Sequence, residues 1–196
     1  MQGEPSRGAR LWYVMGPSGA GKDSLLNYVR QRQERAGRLM FAHRYITRPA
    51  DAGGENHIAL SHEEFEQREG NGCFALSWRR NGLAYALGLE VDVWLAQGLD
   101  VVVNGSRAAL PLARQHFSVL QPLWITASPA VLAARLVARG RESAEAIERR
   151  LAEAAAFIPP DDCLVLVNDG SLAQAGDTLL SLLDALPACR AAVAKK

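Results

Sequence analysis

The chain has 196 residues, 48% hydrophobic and 22% charged, with a formal net charge of +1. That is enough for one compact domain with a sizeable core, and too balanced in charge to imply a nucleic-acid or membrane surface. No apolar run approaches the ~18 residues of a membrane span, the first ten residues lack the apolar stretch of a secretory signal, and Cys73, Cys163 and Cys189 show no metal-type spacing, so a reduced, cytoplasmic setting is expected.

Leu11 to Met15 is a short apolar run ending at a glycine, as a buried parallel strand does. Leu25, Leu26 and Val29 then recur at helical spacing, predicting a helix over 22–36. A strand is expected over 41–48, and a helix starting at Ser61 with acids in its first turn. Residues 73–78 and 83–87 flank Asn81-Gly82, a hairpin signal. A short helix is expected over 90–97, a buried strand over 99–103, a helix over 106–116, a strand over 118–125 and a helix over 129–139. Ser143 should cap a helix to Phe157, stopped by Pro159-Pro160. A last strand (163–167) and helix (171–185) follow. Strands alternating with amphipathic helices predict an α/β fold with a parallel sheet, interrupted at 57–87 by a partly antiparallel insertion. The four tryptophans read as core.

Three groups of residues carry chemistry. Gly16, Pro17, Ser18, Gly19, Ala20, Gly21 and Lys22 match the phosphate-loop pattern G-x-x-x-x-G-K between a strand and a helix. Their backbone N–H groups can wrap a phosphate at the helix N-terminus, and Lys22 can bridge the β- and γ-phosphates. The position that ordinarily offers a hydroxyl to magnesium holds Asp23, and Ser24 follows. Either Asp23 is a metal ligand, or it faces solvent and Ser24 supplies the hydroxyl. The second group is Arg135, Arg139, Arg141, Arg149 and Arg150. They read either as a lid that closes on phosphates or as a solvated face paired with Glu142, Glu145, Glu148 and Glu153. The third is Arg44, Arg48, His57, Ser77, Tyr85, Asn104, Ser106 and Arg107, near strand ends and loops where α/β sheets bind ligands. Arg48 and Arg107 are the expected phosphate ligands. His57 reads either as a catalytic base or as structural, and the structural reading is favoured because phosphoryl transfer to an anionic acceptor needs no base.

Gly-Pro-Ser-Gly-Ala-Gly-Lys (16–22), Thr47-Arg48-Pro49, Gly54-Glu55, Glu64-Phe65, Arg139-Gly140-Arg141, Arg149-Arg150-Leu151 and Val167-Asn168-Asp169 occur in order along nearly the whole chain. This series resembles the guanylate kinase superfamily. The resemblance implies a P-loop NTPase fold over residues 1–196 as one domain, with a substrate region at 40–90, a helical lid at 135–150 and Asn168-Asp169 near the adenine. Leu76 stands where guanylate kinases carry an acid that reads guanine, and an unpaired guanine edge against leucine is disfavoured. Gly-Lys-Asp-Ser (21–24), residues 43–49, Glu55-Asn56-His57, residues 74–78, Asn81-Gly82-Leu83 and Val102 to Arg107 are similar to the ribose 1,5-bisphosphate phosphokinase family of bacterial phosphonate catabolism. That family pattern leads one to expect a glycine where this chain has Ala86.

The implied reaction moves the γ-phosphoryl of ATP, with Mg2+, to the 1-phosphate of ribose 1,5-bisphosphate. By the same resemblance, Lys22 and Arg139 act on the transferred group. Residues 16–24, Arg135, Asn168 and Asp169 hold the nucleotide, with Asp23 toward the metal. Arg44, Arg48, Ser77, Tyr85, Asn104, Ser106 and Arg107 hold the acceptor. The partners expected are these small molecules, with no nucleic acid or membrane and a homodimer left open. A nucleoside monophosphate kinase and a non-catalytic binding module are the alternatives.

Overall fold

Leu11–Met15 forms strand β1, and all five of its side chains are fully buried, as an unbroken apolar run requires. The computed structural model describes residues 8–33, 37–52, 55–140 and 143–185. They divide into two units, 8–13 with 37–120 and 14–33 with 121–185.

In the first unit, the strand expected over 41–48 is two strands. β2 (Leu39–Phe41) lies parallel to β7 (Asp100–Asn104), with Met40 opposite Val101. β7 in turn neighbours the start of β1. β3 (Arg44–Ile46) belongs to another sheet, of order β4 (Ile58–Ala59), β3, β6 (Leu83–Gly88), β5 (Phe74–Arg80). The chain leaves one sheet and enters the other at Ala42-His43, so no single strand could serve both. β3 is antiparallel to β6, and β5 and β6 form the expected hairpin. Its turn residues Asn81 and Gly82 have φ of 51° and 75°, the positive values that a primed turn needs.

Helix α2 (His62–Gly70) starts where Ser61 predicts, with the Ser61 hydroxyl accepting from the Glu64 N–H at 3.1 Å. Its Phe65 packs with Leu60, Ala84 and Ala86, flanked by Tyr45 and Phe74. Ala86 is fully buried in mid-strand with ordinary extended pairing, so no glycine is needed there. Helix α3 (Glu90–Ala96) precedes β7. The helix expected over 106–116 is a 3-10 turn at Arg107–Ala109 and then α4 (Leu110–His116). Pro111 explains the break, since proline suits the first turn of an α-helix and not its interior. Trp12, Trp78 and Trp124 are buried, whereas Trp94 is only half-buried.

In the second unit, the end of β1 neighbours β8 (Leu120–Thr126), which lies parallel to β9 (Leu164–Val167). Helix α1 (Lys22–Arg32) packs on α7 (Leu172–Ala185). The Tyr28 ring occupies the space a side chain at Gly176 would need, and the Tyr28 hydroxyl donates to Asp177 at 2.8 Å. Helix α5 (Pro129–Arg139) ends at Gly140 in the left-handed conformation. Helix α6 (Ala144–Ala155) is capped by Ser143, whose hydroxyl accepts from the Ala146 N–H.

Candidate active site

The loop between β1 and α1 has a shape that only its own sequence permits. A Cβ at Gly16 would lie 2.0 Å from the Ile125 carbonyl oxygen, so the loop leaves β1 hard against β8. Gly19 and Gly21 have φ of 87° and 82°, in the left-handed region that favours glycine. Gly21 is the N-cap of α1. The backbone therefore turns just before the helix, whose N-terminal N–H groups then face what the loop encloses.

Side chains from distant elements hold this loop. Lys22 donates through Nζ to the carbonyls of Gly16 at 2.9 Å and Pro17 at 3.2 Å. Arg150 of α6 donates to the Ser18 hydroxyl, and Arg135 of α5 to the Gly19 carbonyl at 3.4 Å. Asn168, after β9 and 4% exposed, donates through Nδ2 to the Ala20 carbonyl at 2.8 Å. Asp169 accepts from the Ser128 N–H at 2.7 Å and so satisfies a donor at the start of α5. Asp23 is half-buried in the first turn of α1, and Ser24 beside it is exposed. Arg135 and Arg150, two of the five arginines of the second group, thus touch the loop. The Arg139 side chain, Arg141 and Glu142 lie outside the described residues, as does Gly54.

The acceptor candidates all fall in the first unit. Arg44 on β3 forms a forked ion pair with Glu55, with Nε to Oε1 at 2.7 Å and Nη2 to Oε2. Asn104, at the end of β7, donates to the same Oε2 at 2.9 Å. The Arg44 guanidinium lies over the Tyr85 ring at 5.1 Å, and Tyr85 stacks on Trp78 with centroids 5.5 Å apart and planes 6° apart. His57 Nδ1 faces the Glu55 carbonyl at 3.0 Å with the Arg48 guanidinium 3.3 Å away, and the other ring nitrogen of His57 faces the Arg48 carbonyl at 3.1 Å. Both ring nitrogens of this buried imidazole therefore engage backbone carbonyls, those of Glu55 and Arg48. Arg48 Nε is buried without a hydrogen-bond partner among the described residues.

Tyr13 fixes the Asn104-Gly105-Ser106-Arg107 loop. Its hydroxyl donates to the Ser106 carbonyl at 3.1 Å and accepts from the Ser106 N–H at 3.0 Å. Burial pushes the Tyr13 hydroxyl up to about 12, against a smaller downward pull from the Ser106 backbone bond. Gly105 lies under the Tyr13 ring, where a Cβ would come within 2.3 Å. The Ser106 side-chain oxygen is buried and lacks a partner among the described residues. Arg107 opens the 3-10 turn and is half-buried. Ser77 donates to Glu69 Oε1 at 2.5 Å, and Arg79 pairs with both oxygens of Glu69. Leu76 is 4% exposed and pairs with Leu87 across the hairpin.

Glu55, Glu69 and Tyr13 are the organising residues that the sequence reading did not single out as site residues, whereas Arg150 was in its arginine group without an assigned contact. Glu55 lay inside a quoted motif. An acid between arginine-bearing segments was the available signal for Glu55. Nothing local marks Tyr13, which reads as one more apolar strand residue.

The solved guanylate kinase from Anaplasma phagocytophilum matches this chain with a TM-score of 0.62, over 92% of this chain and 87% of that one, at 18% identity. The fold is therefore the P-loop fold of guanylate kinase type, with an intact phosphate loop between β1 and α1. No protein-family model matches the chain. It is 73% identical over 173 residues to a ribose 1,5-bisphosphate phosphokinase PhnN of Chromobacterium violaceum, spanning 88% of this chain and 92% of that one. A protein of the same description from Thiobacillus denitrificans is 48% identical over 186 residues, spanning 94% and 98%. The chain belongs to the ribose 1,5-bisphosphate phosphokinase PhnN family.

Proposed function

We propose that this chain transfers the γ-phosphoryl group of ATP to the 1-phosphate of ribose 1,5-bisphosphate, giving 5-phosphoribosyl 1-diphosphate and ADP. The observation that carries the reading is the 73% identity to a relative of that description, together with a loop that keeps Gly16, Gly21 and Lys22.

In the reaction, the bond from the γ-phosphorus to the bridging oxygen breaks, and a bond to an oxygen of the acceptor phosphate forms. The acceptor is already anionic, so no general base is needed, which agrees with a His57 committed to backbone contacts. What the protein must supply is position and positive charge. The loop N–H groups and the start of α1 receive the ATP phosphates, and Lys22 exchanges its loop carbonyls for phosphate oxygens. Arg135, Arg139 and Arg150 add charge from α5 and α6, and Asn168 with Asp169 frames the base side. In the other unit, Arg44, Arg48 and Arg107 receive the acceptor phosphates, with Asn104, Ser106, Ser77 and Tyr85 around the sugar.

The residues present fit a magnesium ion that arrives with the nucleotide. Asp23 and Ser24 offer hard oxygen donors at the loop, and no cluster of three or more His, Cys, Asp or Glu that could cage a metal occurs among the described residues. Asp23 or Ser24 would hold it, and it would offset phosphate charge. Cys73 and Cys163, neither of them in a disulfide, support a cytoplasmic setting. No described helix is long and apolar enough to cross a membrane. The partners are the small-molecule substrates, and a net charge of +1 lends no support to nucleic acid or a membrane surface.

An ADP-release assay with ribose 1,5-bisphosphate against GMP, AMP and dTMP tests the reading. Turnover of the sugar bisphosphate alone is expected. Robust GMP turnover would instead assign a nucleoside monophosphate kinase.

A further inference from the structure

Glu55 gathers three segments that are far apart in sequence. Its Oε1 accepts from Arg44 Nε, and its Oε2 accepts from Arg44 Nη2 and from Asn104 Nδ2. A carboxylate offers about four lone-pair positions, and among the described residues these three donors leave one. The pair is mostly shielded from solvent, with side-chain exposures of 13% for Arg44 and 12% for Glu55. Arg44 is fixed from its other side by the stacked Tyr85 and Trp78 rings. The carboxylate therefore cannot swing away without breaking a set of contacts.

A fixed carboxylate is a poor partner for phosphate, because like charges repel. Its remaining lone pair suits a hydrogen-bond donor. On a phosphorylated sugar with deprotonated phosphates, the donors are the ring hydroxyls.

Resting on the acceptor assignment above, we propose that Glu55 determines sugar specificity: its carboxylate, held by Arg44 and Asn104, accepts a hydrogen bond from a ring hydroxyl of the pentose. The unit then selects a sugar that carries this hydroxyl over its deoxy analogue. A buried polar group left without its partner is what makes such selection strong.

The test compares kcat/KM for ribose 1,5-bisphosphate with that for its 2-deoxy and 3-deoxy analogues, in the wild-type chain and in Glu55→Gln. Wild type should disfavour at least one analogue by about 100-fold or more. Glu55→Gln should narrow that ratio at least tenfold while the KM for ATP stays put. If wild type handles all three sugars alike, the proposal falls without any variant. If Glu55→Gln weakens all three equally and the ratio stands, Glu55 only positions Arg44 and the proposal also falls. A wild-type chain inactive on ribose 1,5-bisphosphate would instead overturn the proposed function, a separate outcome.

Discussion

Asn168 donates to the carbonyl of Ala20 at 2.8 Å, tying the turn after β9 to a phosphate loop 148 residues earlier. The same amide nitrogen lies where a Cβ at Gly21 would come within 2.7 Å. One buried side chain thus both holds the loop and dictates that its last turn be glycine.

Removing that side chain should loosen the loop. Asn168→Ala should cost about 1–2 kcal/mol in thermal unfolding and raise the KM for ATP. Asn168→Asp should be at least as harmful, because it sets a second acceptor against the Ala20 carbonyl. A fully active, wild-type-stable aspartate variant would show that this hydrogen bond does not hold the loop.

Asp23 stands where the motif ordinarily has a hydroxyl. If its carboxylate helps hold the metal, Asp23→Ala should raise the magnesium concentration for half-maximal rate, and Ser24→Ala should not. The reverse pattern in a magnesium titration would give the role to Ser24.

Tyr13→Phe deletes one oxygen and nothing else. The Ser106 N–H and carbonyl lose their shared partner, so the 104–107 loop should loosen at a cost of about 1–3 kcal/mol. The KM for the sugar bisphosphate should rise while that for ATP holds. Equal changes in both constants would deny Tyr13 a role specific to the acceptor loop.

Glu69 makes acid stability testable. Hydrogen bonds from Arg79 first, and then from Ser77, hold its carboxyl down from the ordinary 4.5 to about 2. The folded value lies below the unfolded one, so the contribution is complete above about pH 4.5 and lost as pH falls toward 2. Arg79 is 52% exposed and solvent screens the pair, so the contribution is about 0–1 kcal/mol. Melting temperatures of Glu69→Gln and wild type should converge as pH drops from 5 to 2.5. A gap that stays constant over that range would remove Glu69 from the titration.

Much of this was legible in the sequence because it rests on local rules. Strand β1 is an unbroken apolar run, the Asn81-Gly82 turn needs positive φ, and Ser61 and Ser143 cap the helices they precede. The division of 39–46 between two sheets was not legible, because a strand's partners come from distant parts of the chain. Nor was the hydrogen bond from the Ser77 hydroxyl to Glu69, eight residues away on a helix, because the sequence does not show which way either side chain turns.

By itself, the sequence determined the phosphate loop, the α/β rhythm and the set of arginines, since each is written in residue type and spacing. Only the tertiary structure decided which acid serves which arginine. Glu55 meets Arg44 and Asn104, 11 and 49 residues away, and Tyr13 clamps Ser106 across 93. Such pairings depend on which strand ends the fold brings together, and hydrogen bonds act over about 3 Å of space regardless of distance along the chain.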